Sequence, residues 1–222
     1  MVLPCFVAVC GLVREHRDRV LDVLKDIYIE QEQAFVACSD KSSGCAEKFS
    51  HFLANGHQGL MTSAGLISFF WSRLDSGIVE TVQPALLGGK SVLMDGFGMK
   101  IWAHAIARAE DGRMHALCNL HKANIETSIV DRGIPKPVYL IPRIRDCEEV
   151  KHILLPKDVS RTPVIPSGMT LDTFLSRLIW AFDNYQKYID GQRVIYVDAE
   201  FIHHDDVSEK IKTLLEEIVY DA

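Results

Sequence analysis

Phe6-Val7-Ala8-Val9-Cys10-Gly11, followed by Arg14-Glu15-His16-Arg17-Asp18, is the stretch whose reading decides the fold. The apolar run shows no polar alternation, so both of its faces are buried, as in a central strand of a parallel sheet. Behind it, Arg14 to Tyr28 places Val20, Leu21, Leu24 and Ile27 at spacings near three and four, the stripe of an amphipathic helix. A buried strand, a glycine and a helix start together mark the place of a phosphate-cradling loop. Such a loop reads Gly, four residues, Gly, Lys, then Ser or Thr, because small residues let backbone N–H groups wrap a phosphate and the hydroxyl holds Mg²⁺. Counted from Gly11, the last three places hold His16, Arg17 and Asp18. The segment points to the architecture of a phosphate loop and away from its ordinary chemistry.

Outward from this stretch, strands and helices alternate. Short strands are expected at Ala34 to Cys38, Ser91 to Met94, Pro137 to Ile141 and Val194 to Val197. Helices are expected at Ala46 to Ala54, Met61 to Ser76, Ile78 to Leu87, Lys100 to Ala109, His115 to Ile129, Leu171 to Tyr188 and Val207 to Val219. Gly88-Gly89 and Gly133 stand where helices stop. The alternation argues for an α/β fold, a parallel sheet of about five strands with helices on both faces. There is no internal repeat and no low-complexity linker, so residues 1–222 read as one domain. A charged, proline-bearing segment near 143–166 resembles a lid.

With 222 residues, 48% of them apolar, the chain can bury a sizeable core. A net charge of −6 supplies no uniform positive field, which argues against nucleic acid as a partner. The apolar run Val2 to Leu12 is far below the roughly 18 to 20 residues of a membrane span. It also lacks a basic leader, so a cytoplasmic location is expected, with no membrane partner. Six scattered cysteines (Cys5, Cys10, Cys38, Cys45, Cys118, Cys147) show no CxxC pair and read as reduced, mostly buried thiols.

Further motifs carry a family resemblance. Val79-Glu80-Thr81-Val82-Gln83-Pro84-Ala85-Leu86, then Gly89 and Ser91-Val92-Leu93-Met94-Asp95, resembles the helix ending in "PAL", the glycine and the strand ending in Asp-Arg-Tyr of thymidylate kinases. Phe69-Phe70-Trp71-Ser72-Arg73 is similar to that family's Phe-x-Ala-x-Arg segment. Phe174, Arg177 and Tyr185 are loosely similar to its Phe-x-x-Val-Arg-x-x-Tyr helix, and Arg193 to Ala199 with the helix after it looks like its last strand and helix. The resemblance implies a three-layer, P-loop-kinase-like sheet, a nucleotide or other phosphorylated small molecule as ligand, and a homodimer. ATP and Mg²⁺ are implied as cofactors only if kinase chemistry survives. Arg17 stands where the family has Lys, and Gly96 where it has the Arg of Asp-Arg-Tyr. The family's Arg-Glu-Pro-Gly-Gly segment has no counterpart, its place being taken by Cys38 to Gly44.

The candidate residues follow. Gly11, Arg14, Arg17 and Asp18 form the altered phosphate loop; with Arg19, the two arginines offer guanidinium groups suited to phosphate at a helix start, or else a solvated charged turn. Asp18 either ligates Mg²⁺ or repels a polyphosphate. Asp95, ending a strand at the sheet's carboxyl edge, is the candidate catalytic or metal-linked carboxylate, beside Arg17 as a catalytic cation; its alternative role is to cap the next helix. Phe70, Arg73 and Phe97 are substrate-site candidates, and Gly96-Phe97-Gly98 allows close backbone approach. Arg143, Arg145 and Arg161 are lid candidates for stabilising a transferred phosphoryl group, or members of a charged surface loop. His203-His204-Asp205-Asp206 does not read as a metal site, because adjacent side chains diverge. His104, His115 and His121 read as surface or core residues.

Three readings remain open. The first is a degenerate, thymidylate-kinase-like protein that keeps a phosphorylated-ligand pocket without ordinary ATP chemistry. The second is an active, atypical phosphotransferase that uses Arg17 in place of the lysine. The third is a non-catalytic, dimeric interaction protein.

Overall fold

The computed structural model describes residues 3–39, 62–109, 112–146, 148, 150, 165, 168–189 and 191–220. Its strands are β1 (Phe6–Val9), β2 (Phe35–Ser39), β3 (Ser91–Asp95), β4 (Val138–Arg143) and β5 (Arg193–Asp198). The helices are α1 (Arg14–Glu30), α2 (Ser63–Gly77), α3 (Gln83–Leu87), α4 (Gly98–Arg108), α5 (Met114–Ile125), α6 (Leu171–Tyr188) and α7 (Val207–Tyr220). The helix expected at 46–54 lies outside the described residues. So do Cys45, Cys147, Arg161 and most of the lid-like segment. Among the described cysteines, Cys10 and Cys118 are buried as expected, whereas Cys5 is exposed.

The five strands form one all-parallel sheet in the order β2-β3-β1-β4-β5. Every residue of β1 is buried, which accounts for its uninterrupted apolar run in the middle of the sheet. The step from β1 to β2 crosses the sheet in one direction, and the later steps to β3, β4 and β5 go in the other. With right-handed crossovers, α1 therefore lies on one face and α2 to α6 on the opposite face. Packing follows this division: α1 rests against α7, while α4 packs on α2, α5 and α6. Among the described residues, no helix is long and apolar enough to cross a membrane.

The helix expected at Ile78 to Leu87 begins instead as a wider π turn, Ile78–Val82, ahead of α3, and the one expected at His115 to Ile129 ends in another, Glu126–Val130, after α5. Apolar spacing sets only which face is buried, and it carries no mark of one extra residue in a turn. Both run on to left-handed glycines, Gly89 at φ 73° and Gly133 at φ 66°, as the stop signals imply.

A buried polar node fastens the α2–α6 layer. Trp71 on α2 donates its indole N–H to Nδ1 of His121 on α5 at 3.1 Å. Since the indole can only donate, Nδ1 accepts and the neutral ring carries its proton on Nε2, which donates to the Tyr185 hydroxyl on α6 at 2.9 Å. Burial pushes His121 down to about 3. Gly98, the first residue of α4, lies directly beneath this node: a Cβ there would stand 2.5 Å from the Trp71 ring and 3.2 Å from His121. This glycine serves helix packing rather than the approach of a ligand.

Gly98→Ala is expected to cost about 1–3 kcal/mol through overpacking against a ring that cannot swing aside, measured by urea unfolding. His121 is neutral in the folded state well below the ordinary histidine value, so the unfolded chain binds the extra proton. Stability is therefore greatest above about pH 6.5 and declines as the pH falls toward 3. His121→Asn should flatten that decline by roughly one proton's worth, about 1.4 kcal/mol per pH unit, in unfolding curves taken between pH 6 and pH 4.

Candidate functional site

The register of the sheet aligns Val9 with Asp95 on β3 and with Leu140 on β4, so β1 delivers Gly11 to the carboxyl edge between these two strands. Here α1 starts at once: Arg14 to Asp18 are already helical, with Val13 as an N-cap that supplies no side-chain hydrogen bond. Only Cys10 to Val13 connect strand and helix. A loop that short cannot wrap a phosphate, which the residues at the altered motif explain. His16, in place of the second glycine, is buried edge-to-face against His203 with ring centroids 5.7 Å apart. Burial, then the neighbouring His203, lowers the proton affinity of His16.

Arg17 is 6% exposed and turns inward. Its Nε donates to Asp95 Oδ1 at 2.7 Å, and its Nη1 donates to the carbonyls of Gly11 at 2.9 Å and Leu12 at 3.5 Å. Nη2 makes no hydrogen bond among the described residues. Asp95 is thus the partner of Arg17; it does not cap α4, whose N-cap is Phe97 without any side-chain bond. The two residues named from the sequence as a catalytic pair are brought together as an ion pair. Arg14 and Asp18 instead form an exposed pair with each other at 3.3 Å, one helical turn apart. The Asp18 carboxylate therefore faces Arg14 and solvent.

Beside Gly11 the strand order diverges, since the chain leaves β1 toward β2 and leaves β4 toward β5. Such a divergence is where open α/β sheets hold their ligands. Here it is filled. A Cβ on Gly11 would lie 3.3 Å from Pro142 Cδ and 3.6 Å from Arg17 Cγ. The crevice lined by Gly11, Leu12, Pro142, Arg143, Phe182 and Asp183 is about 10 Å³, space for roughly one water.

The remaining candidates separate. Phe97 is 1% exposed and packs edge-on against Phe6 at 5.3 Å and Trp71 at 5.9 Å, with Tyr139 at 6.2 Å; a ligand could reach it only by displacing the core. Arg73 stacks over the Phe70 ring at 5.3 Å within α2. Arg143 is the last residue of β4 rather than part of a lid; it bonds Asp183 at 2.8 Å and lies over the Tyr196 ring at 5.2 Å. Arg145 pairs with Asp198 at 3.2 Å. These two arginines fasten β4 to α6 and β5, facing carboxylates instead of the Arg17–Asp95 pair.

No family model matches the chain, and no curated protein matches it. The site therefore stands on its own geometry. Among the described residues, no cluster of three or more metal-ligating side chains is present.

One feature of the edge escaped the sequence reading. Lys100, His104 and Arg108 recur every four residues on α4, so they share one helix face. Burial, followed by the charges of Lys100, Arg108 and Arg17, pushes the half-buried His104 down to about 3. Lys100 and Arg17 also both act on the Cys10 thiol at the end of β1. The charges of Arg17 and of the basic face of α4 thus act on the same groups, and Asp95 acts with them on Cys10. The four-residue recurrence of basic side chains directly after Asp95 was the available signal.

Asp95→Asn would leave a nearly buried guanidinium without its counter-charge, and is expected to lower stability by about 2 kcal/mol. Arg17→Met combined with Asp95→Asn should cost less than the sum of the single changes, with a coupling of about 1–3 kcal/mol in a double-mutant cycle of urea unfolding; additive effects would show that the pair is not coupled.

Proposed function

We propose that this chain is a degenerate member of the P-loop-kinase-like, three-layer proteins, resembling thymidylate kinases, and that it binds a phosphorylated small molecule without ordinary ATP chemistry. The observation that carries this reading is the position of Arg17. At the place of the phosphate-loop lysine, its guanidinium is held by Asp95 and by the loop's own carbonyls. The groups that would grip a donor phosphate are thereby engaged with one another. A closed loop and a crevice of about 10 Å³ speak against a triphosphate at this position. The charges of Lys100, Arg108 and Arg17 all act on His104, and this positive field near the edge is in keeping with an anionic ligand.

Thermal unfolding with ligands tests the proposal. A phosphorylated ligand at 100 times its dissociation constant should stabilise by about 2.7 kcal/mol. Ribose 5-phosphate or a nucleoside monophosphate is expected to raise Tm, whereas ATP with Mg²⁺ leaves it unchanged. A clear rise with ATP and Mg²⁺ that Arg17→Ala abolishes would replace this reading with that of an active phosphotransferase.

A further inference from the structure

At the amino edge of the sheet, opposite Arg17 and Asp95, a groove of about 300 Å³ opens where β1 and β3 start and the chain approaches β4. Cys5 borders it just before β1, Lys90 and Ser91 at the start of β3, and Ile134 and Pro135 on the way into β4. The crevice beside Gly11 holds only about 10 Å³, whereas this groove reaches the lower end of small-molecule sites. Four residue steps along β3 separate Ser91 from Asp95, roughly 13 Å, so the two edges cannot share one small ligand.

Two cations and no carboxylate line the groove. One of them, Arg132, is already countered, since its Nη2 donates to Asp75 Oδ2 on α2 at 2.9 Å. Lys90 is exposed, and its ammonium makes no ion pair or hydrogen bond among the described residues. Its long stem lets that charge reach over the groove from the residue before the strand. A hydroxyl supplies the second donor. Ser91 is 2% exposed and its Oγ accepts from Gln33 Nε2 at 2.7 Å, which leaves the hydroxyl proton without an acceptor among the described residues. A buried O–H in that state is costly until an acceptor reaches it.

The main chain offers no further donors, because the amides of Gly89, Lys90, Ser91, Gly133 and Ile134 all donate within the fold. A phosphate dianion therefore meets too few partners here. A carboxylate needs fewer, and can accept one bond from the ammonium and one from the hydroxyl. Beside these donors stand Leu86 and Leu87 of α3, the second of them 82% exposed. Covering that surface suits a hydrocarbon body attached to the same carboxylate.

We propose that this groove binds a small monocarboxylic acid with a compact apolar body, its carboxylate held by Lys90 and the Ser91 hydroxyl and its hydrocarbon lying against Leu86 and Leu87. The site is separate from the phosphorylated-ligand reading above and does not depend on it. Binding makes and breaks no covalent bond.

Benzoate is the probe, with benzamide as its uncharged counterpart of similar shape. Calorimetric titration of the full chain at neutral pH is expected to give a dissociation constant of about a millimolar for benzoate and one at least about tenfold weaker for benzamide. Cys5 is exposed in the wall of the groove and reports occupancy. Saturating benzoate should slow its alkylation by iodoacetamide about threefold or more, read peptide by peptide, with Cys38 on β2 as the internal control. Lys90→Gln should weaken benzoate about three- to tenfold and Lys90→Arg should restore it; the side chain is exposed, so both variants keep the fold. No benzoate binding up to about 20 mM, equal binding of benzamide, an unchanged affinity in Lys90→Gln, or no protection of Cys5 each overturns the proposal. Displacement of benzoate by ribose 5-phosphate overturns it too. The phosphorylated-ligand reading is judged apart from all of these, by the response of Tm to ribose 5-phosphate.

Discussion

The guanidinium of Arg17 is the contact on which the carboxyl edge depends. It joins the first turn of α1, the end of β1 and the end of β3 through one planar group, bonded at once to a carboxylate and to two main-chain carbonyls. A lysine could answer only part of this geometry. An ammonium is a point charge with three donors, whereas the guanidinium fork serves an acid on one side and carbonyls on the other. Because the fork is engaged, α1 can begin three residues after Gly11 and the strand–helix connection stays short. Gly11 must then remain small, since Pro142 and the stem of Arg17 close over it.

A second constraint shapes the opposite face of the sheet. Trp71, His121 and Tyr185 come from three helices and satisfy one another in a chain of hydrogen bonds inside an apolar layer. An unpaired polar group at such a depth is expensive, so the chain specifies one arrangement of α2, α5 and α6 rather than merely a hydrophobic contact among them. Gly98 sets α4 into this arrangement by letting its first turn touch the indole. The basic face of α4 is consequently held on a rigid support.

Much of the fold was legible because its signals are local. The bounds of α6 follow directly from apolar spacing, and the uninterrupted run Phe6 to Cys10 marks a strand with two covered faces. The site was legible as a list of residues but only partly as an arrangement. That Arg17 and Asp95 belong together could be read from their positions after two buried strands. Their direct contact, across 78 residues of chain, could not. Phe97 was misplaced for a related reason. An aromatic side chain after a strand is equally suited to a ligand wall and to a core, and only its neighbours Phe6, Trp71 and Tyr139 decide. Likewise the arginines near position 143 carry no sequence mark that they face Asp183 and Asp198.

The pairing of β1 has a consequence for how the chain reaches its native state. Phe6 aligns with Val92 and Val7 with Val138, so the central strand is synthesised long before either of its neighbours. No hairpin can pair it, because parallel pairs need intervening crossovers, and α1, which follows at once, is its local packing partner. Sheets with such distant pairings fold slowly, as chain-closure entropy must be overcome before the contacts form. During translation, the most apolar stretch of the sheet therefore stays unpaired until β3 and β4 have emerged. Over that interval α1 can cover only one face of the strand, so its open edges and other face are the aggregation-prone surface of the growing chain.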